Sequence, residues 1–213
     1  MKVAHYSLCL VGLFLGAGSA FADLLPVTFT GVNGAAAFGY YVGPYYGTVT
    51  GDPTTLYCVD FANEVHFGES WLANVTPLDG SSDLSETRYG GAVGLPNALT
   101  LYREAAWLTT QYAGNPSSYG DIQATIWQLF DANAPQPSSD QWLLSAEANY
   151  QQLDFSQFEV LTNAAPVLAT GQIQEYLIDR SAVPEPSAVI LLGTVLIVII
   201  FLAGRKNRWT TGA

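Results

Sequence analysis

The hydrophobic positions of this 213-residue chain follow three rhythms. Near each end they run together, from Leu8 to Leu15 and from Ala188 to Ala203. Between residues 27 and 80 they alternate with polar ones in short runs, such as Tyr45 to Thr50 and Thr55 to Phe61, separated by Gly43-Pro44 and Gly51-Asp52-Pro53. A period of two with Gly/Pro punctuation predicts strands joined by turns. From Asn97 the period lengthens. Leu101, Ala105, Leu108 and Tyr112 share one helical face, and Gly114-Asn115-Pro116 ends that helix. A second helix is expected from Ser118, paired with Asp121 as a capping box, through Ile122, Ile126, Leu129 and Phe130 to Asn133 and Pro135. A third, more polar helix is expected over 140–153, apolar at Trp142, Leu143, Ala146 and Tyr150, followed by closing strands at 158–162 and 174–178. The fold class that follows is α+β: a β-rich, sandwich-like part with a helical insert.

The two continuous runs read as addresses. Residues 1–22 combine Lys2, the apolar run and Ala20-Phe21-Ala22, the pattern of a cleavable signal peptide, so Cys9 is expected to leave with it. Residues 188–203 contain no charge and, with Ser187 and Gly204, just reach the roughly 17 to 25 residues that span a bilayer. Arg205, Lys206 and Arg208 follow immediately and are expected to stay on the cytoplasmic side, leaving residues 23–183 as one exported domain.

Before the apolar helix stands Pro184-Glu185-Pro186. This motif, a short transmembrane helix and a basic tail at 184–208 together resemble a PEP-CTERM sorting signal. The resemblance implies an exosortase as processing partner, a C-terminal membrane anchor before processing, and a destination at the cell surface or in the extracellular matrix. Two prolines fit such a substrate physically, because they hold an extended segment free of internal hydrogen bonds.

Charge narrows the function classes. Residues 23–183 carry three arginines (Arg88, Arg103, Arg180), no lysine and seventeen acids, for a formal charge of −14. Nucleic acid is thereby excluded as a partner. Self-repulsion that keeps an acidic protein soluble accounts for the charge as well as any functional reading does. No cofactor or metal site is expected: His66 has no cysteine or second histidine near it, and no Ser/His/Asp triad, phosphate loop or catalytic carboxylate pair stands out, so no enzyme turnover is expected. Asn74-Val75-Thr76 matches a glycosylation acceptor without a host that would use it. Trp107, Trp127 and Trp142 fall at helical core spacing, which favours packing over a carbohydrate-stacking surface.

One cysteine, Cys58, remains after signal removal. A lone exported thiol is paired with another chain, buried and inert, or reactive. Strand alternation puts Leu56, Cys58 and Asp60 on one face and Tyr57, Val59 and Phe61 on the other. On that reading Asp60 is an ordinary exposed carboxylate before it is a proton-transfer partner.

Tyr57-Cys58-Val59-Asp60 in an early strand, followed after a helical hairpin by Ile122-Gln123-Ala124-Thr125-Ile126-Trp127, resembles the paired motifs of bacterial surface thioester domains across roughly residues 45–135. The resemblance implies an internal thioester between Cys58 and Gln123, with Trp127 one turn on. A primary carboxamide and a thiol are what such chemistry needs, and Gln123, Trp127 and Phe130 at i, i+4 and i+7 would flank the bond with two water-excluding rings. The bond would offer an electrophile to an amine or hydroxyl on a surface protein or polysaccharide, and a lysine-free surface would spare the protein self-crosslinking. The functional expectation is a covalent adhesin of the cell surface or biofilm matrix. The alternative is a non-covalent structural or carbohydrate-associated matrix protein with Cys58 buried and reduced.

Overall fold

The computed structural model describes residues 24–165 and 172–182. The expected signal peptide at 1–22, the Pro184-Glu185-Pro186 motif, the apolar segment 188–203 and Arg205, Lys206 and Arg208 lie outside the described residues, among which no helix is long and apolar enough to cross a membrane.

The protein is mixed α and β. Strands β1 (Leu25–Val32), β2 (Ala36–Ala37), β3 (Tyr40–Tyr41), β4 (Tyr45–Val49), β5 (Asp52–Cys58) and β6 (Ser70–Pro77) precede helices α1 (Ala98–Thr110), α2 (Tyr119–Phe130) and α3 (Gln141–Asn149), and β7 (Phe158–Asn163) and β8 (Tyr176–Asp179) follow. Six strands close into an antiparallel barrel in the order β1-β4-β5-β8-β7-β6, with β6 returning to β1. β2 and β3 form a separate small hairpin. The sandwich-like expectation is therefore corrected to a closed barrel. Both architectures bury one face of each strand, so the alternation in the sequence is the same for either. Closure depends on β8, which slots between β5 and β7 and pairs Cys58 with Tyr176 and Val160 with Leu177.

Alternation divides the apolar residues between two cores. Val27, Phe29, Tyr45, Val49, Leu56, Cys58, Trp71, Ala73, Leu161, Tyr176 and Ile178 form the first, together with Trp127 of α2. Val59, Phe158, Val160 and Leu177 face the other way and pack against Tyr102, Ala105, Leu108, Ile122, Ile126 and Phe130 of the helices. Gly47 of β4 is required by the narrow barrel: a Cβ there would stand 2.6 Å from Leu56 Cδ1 and 2.8 Å from the Thr28 carbonyl oxygen.

The helices fall where the longer period puts them, with local differences. Tyr102 is fully buried whereas Leu101 is half-buried, which turns the inner face of α1 by a fraction of a turn. The expected capping box is absent. Pro116–Ser118 is a 3₁₀ turn running into α2, so Ser118 lacks the extended backbone of an N-cap and makes no capping bond. Asp121 instead accepts from the Ser138 amide and hydroxyl, both at 2.7 Å, and pins the loop after α2 back onto the helix. α3 stops at Asn149, and a 3₁₀ turn carries the chain on from Tyr150.

Phe130 shows what holds the helical layer. It lies 4.7 Å from the Tyr89 ring and 4.9 Å from the Tyr102 ring, centroid to centroid, and is 7% exposed. Phe130→Ala empties that position and is expected to cost about 3–5 kcal/mol, measured by chemical denaturation.

Candidate functional site

β5 ends at Cys58, and α2 lies across that end with Gln123 and Trp127 turned toward it. Cys58 and Gln123 are both 0% exposed. The Gln123 carboxamide is held at its two ends: Nε2 donates to the Cys58 carbonyl oxygen at 2.8 Å, and Oε1 accepts from the Tyr112 hydroxyl at 2.9 Å. The orientation of the amide follows from chemistry, since a backbone carbonyl only accepts and must face the NH₂. Tyr112, beyond the end of α1, is locked by stacking on Tyr57, with ring centroids 5.8 Å apart and planes 5° from parallel. Tyr57 thus reaches the site through Tyr112.

The sulfur has its own contacts. Cys58 Sγ donates to the Asp60 carbonyl oxygen at 3.3 Å and accepts from Trp127 Nε1 at 3.5 Å. Burial pushes the thiol up to about 12, against a smaller downward pull from the Trp127 indole N–H. The free thiol is therefore neutral at every physiological pH. Trp127 is covered in turn by Phe61 and Tyr40, with centroids at 5.2 and 6.0 Å. Phe130 belongs elsewhere: seven residues after Gln123 it has rotated into the helix-facing core between Tyr89 and Tyr102, so it does not flank the sulfur as the helical stripe suggested. A second correction concerns Asp60. The strand ends at Cys58, the chain turns inward, and the Asp60 side chain is 0% exposed rather than solvated. It accepts from Tyr89 Oη (3.0 Å), Asn63 Nδ2 (2.6 Å) and the Ala62 amide (3.0 Å), and lies 3.5 Å from Arg88 Nε.

A second buried carboxyl adjoins this network, and the sequence reading missed it. Glu175, just before β8, is 1% exposed; its Oε2 accepts from the Arg88 amide (2.7 Å) and Thr162 Oγ1 (2.5 Å), and its Oε1 accepts from Tyr102 Oη. Tyr112, Tyr89, Arg88 and Glu175 carry no motif. Among them only Arg88 gave a signal, as one of three cations in an acidic domain.

A cleft of about 530 Å³ opens on the far side of Trp127. Tyr45, Phe29 and Trp127 form its buried floor, and Tyr40, Tyr41 and Phe67 its exposed rim. His66 is a surface residue beside Glu69, at 3.7 Å, and the Asn74 side chain donates to Glu86. Among the described residues no group of three or more His, Cys, Asp or Glu side chains is arranged to hold a metal ion. The chain matches no family model, no curated protein and no solved structure.

Burial raises the Glu175 carboxyl from 4.5 to about 7. A carboxyl raised by folding binds its proton more tightly in the folded state, so folded stability falls as pH rises from about 4.5 to about 7 and then levels off. At 1.36 kcal/mol per unit the loss is about 3 kcal/mol. Urea midpoints measured between pH 5 and pH 8 should decline accordingly, and Glu175→Gln, which cannot titrate, should flatten the slope whatever it does to absolute stability.

Proposed function

We propose that the protein is exported, is handled by an exosortase at its C-terminal signal, and uses an internal thioester between Cys58 Sγ and Gln123 Cδ to attach covalently to a partner at the cell surface or in the matrix. The observation that carries this reading is the buried Gln123 carboxamide, held between the Cys58 carbonyl and the Tyr112 hydroxyl. A glutamine sealed from water and bonded to the backbone of the domain's one cysteine brings both reactant side chains to one place, and positioning is the main lever on so poor an electrophile as an amide.

The step balances as follows. The Cys58 sulfur attacks Gln123 Cδ, a C–S bond forms, the C–N bond breaks, and the thiol proton leaves with the nitrogen as ammonia. The attacking form is the thiolate, so the proton has to leave sulfur as the C–S bond forms and pass to the departing nitrogen; burial, which holds the thiol protonated, opposes this step and leaves positioning to drive it. Negative charge develops on Gln123 Oε1, where Tyr112 already donates, so Tyr112 takes the part of an oxyanion donor. A later nucleophile reverses the sense: an amine nitrogen or hydroxyl oxygen bonds to Cδ, the C–S bond breaks, and the proton passes to sulfur. The product is an amide or ester on Gln123 and a free Cys58 thiol, consumed in one use. Trp127, Phe61 and Tyr40 keep water from that bond until then.

The same burial favours a second reading, in which Cys58 is an inert, reduced core residue of a passive matrix protein. Intact mass separates the two. The thioester form is expected to be about 17 Da lighter than its sequence mass, by loss of ammonia, and to yield no thiol on denaturation, whereas Cys58→Ala and Gln123→Ala match their full masses. Full mass with a thiol that titrates on unfolding would establish the passive reading instead. Within the first reading, Tyr112→Phe should be about 1–3 kcal/mol less stable, and its refolded fraction should lose the 17 Da about 10²- to 10³-fold more slowly, followed by mass spectrometry after dilution from denaturant.

A further inference from the structure

The cleft beyond Trp127 has the make-up of a binding site. Its exposed rings come from two places: Tyr40 and Tyr41 from the β2–β3 hairpin, 46% and 53% exposed, and Phe67 from the loop before β6, 65% exposed. The hairpin is held in position at some conformational cost. Its two-residue turn places Phe38 and Gly39 both at positive φ (56° and 86°), a type I′ geometry in which a phenylalanine is strained. It packs so closely on the start of α2 that a Cβ on Gly120 would stand 2.8 Å from Ala37 Cβ. Strain at Phe38 and close packing on α2 hold two half-exposed tyrosines at the mouth of the cleft.

The polar part of the lining keeps hydrogen-bonding capacity in reserve. Asn63 uses its Nδ2 on Asp60, which leaves its Oδ1 as an acceptor. Gln174 uses its Oε1 on the Tyr176 hydroxyl, which leaves its Nε2 as a donor. Glu64 is exposed and makes no hydrogen bond or ion pair with the described residues. Flat rings beside spare donors and acceptors suit a ligand with apolar C–H faces and many hydroxyls. Neither lysine nor arginine lines the cleft, and the −14 charge of residues 23–183 repels anions. A peptide strand finds no template, because the barrel is closed and the hairpin strands are two residues long.

We propose that this cleft binds an uncharged oligosaccharide, its sugar rings stacked on Tyr40, Tyr41 and Phe67 and its hydroxyls bonded to Asn63, Glu64 and Gln174. Trp127 then stands between ligand and sulfur, with its ring in the cleft floor and its Nε1 3.5 Å from Cys58 Sγ. A seated sugar lies one side chain from the Cys58–Gln123 pair. Its use as the hydroxyl partner of the crosslink rests on the thioester reading; the binding seat itself does not.

The test is isothermal titration of the full-length protein in detergent with neutral hexaoses of differing linkage (cellohexaose, maltohexaose, laminarihexaose), an anionic alginate hexamer and butylammonium. At least one neutral hexaose should bind saturably, with the alginate silent. Tyr41→Ala and Phe67→Ala, both exposed side chains, should each weaken binding about tenfold, the equivalent of about 1.4 kcal/mol. The intact mass of the same sample is measured beside the titration, which separates the seat from the thioester: saturable binding by protein at its full sequence mass leaves this result standing. Binding by none of the neutral hexaoses, binding that survives loss of both rings, or saturation by butylammonium alone would overturn the proposal.

Discussion

The bond from Gln123 Nε2 to the Cys58 carbonyl oxygen ties the helical layer to the end of β5. A carboxamide with no access to water must find partners for its donor and its acceptor, or folding loses about 1–3 kcal/mol for each group left bare. Here the partners lie on separate elements: the end of β5 supplies the acceptor, and Tyr112, beyond α1, supplies the donor. Meeting both demands fixes α2 against the barrel end and the exit of α1 against α2. It also fixes Trp127, one turn further along α2, over the sulfur. The placement of the site and the docking of the helical layer onto the barrel are therefore a single requirement.

A similar economy governs the charges. Asp60 and Glu175 are both buried, and Arg88 serves both: its Nε lies 3.5 Å from Asp60, while its amide donates to Glu175. Tyrosines complete the two carboxyls, Tyr89 on Asp60 and Tyr102 on Glu175. Asp60 belongs to the turn that leaves β5, and Glu175 to the segment that enters β8, so the network ties together the two strands whose pairing closes the barrel. Cys58 sits in that pairing opposite Tyr176. Buried polar groups of this kind give specificity only when each is satisfied.

Much of the fold was legible in the sequence, because it depends on periodicity. The strand expected at 45–50 is found at 45–49, the one expected at 55–61 lies three residues earlier at 52–58, and the helices at 98–110 and 119–130 follow the change of period at Asn97. Barrel closure was not legible, since an inward face reads alike whether a sheet curls or stacks. Cys58 stood out as the one cysteine of residues 23–183, and Gln123 through the resemblance of its motif to surface thioester domains. Asp60 was misplaced because strand alternation was extended two residues past the strand's end, and Phe130 because a helical stripe specifies direction but not which core lies in that direction. Tyr112 and Glu175 left no local trace. Their roles arise from partners 11 and 73 residues away in the chain, a relation that a window of sequence does not contain.

The proposed thioester faces opposed demands, protection from water and access for a partner, and both fall on one side chain, Trp127. The indole is 2% exposed, so it seals the sulfur, yet it also forms part of the floor of an open cleft. Phe61 packs against it from the loop after β5 and Tyr40 from the hairpin. Access to Cys58 and Gln123 therefore depends on a movement of Trp127, Tyr40 or Phe61, small rotations within an aromatic cluster, while the barrel and helices stay in place. A ligand that stacks on the hairpin acts on Tyr40 directly, and only a ligand with differential affinity for the displaced arrangement can open that route. Water has no such affinity, and that difference is the selectivity the proposed thioester requires.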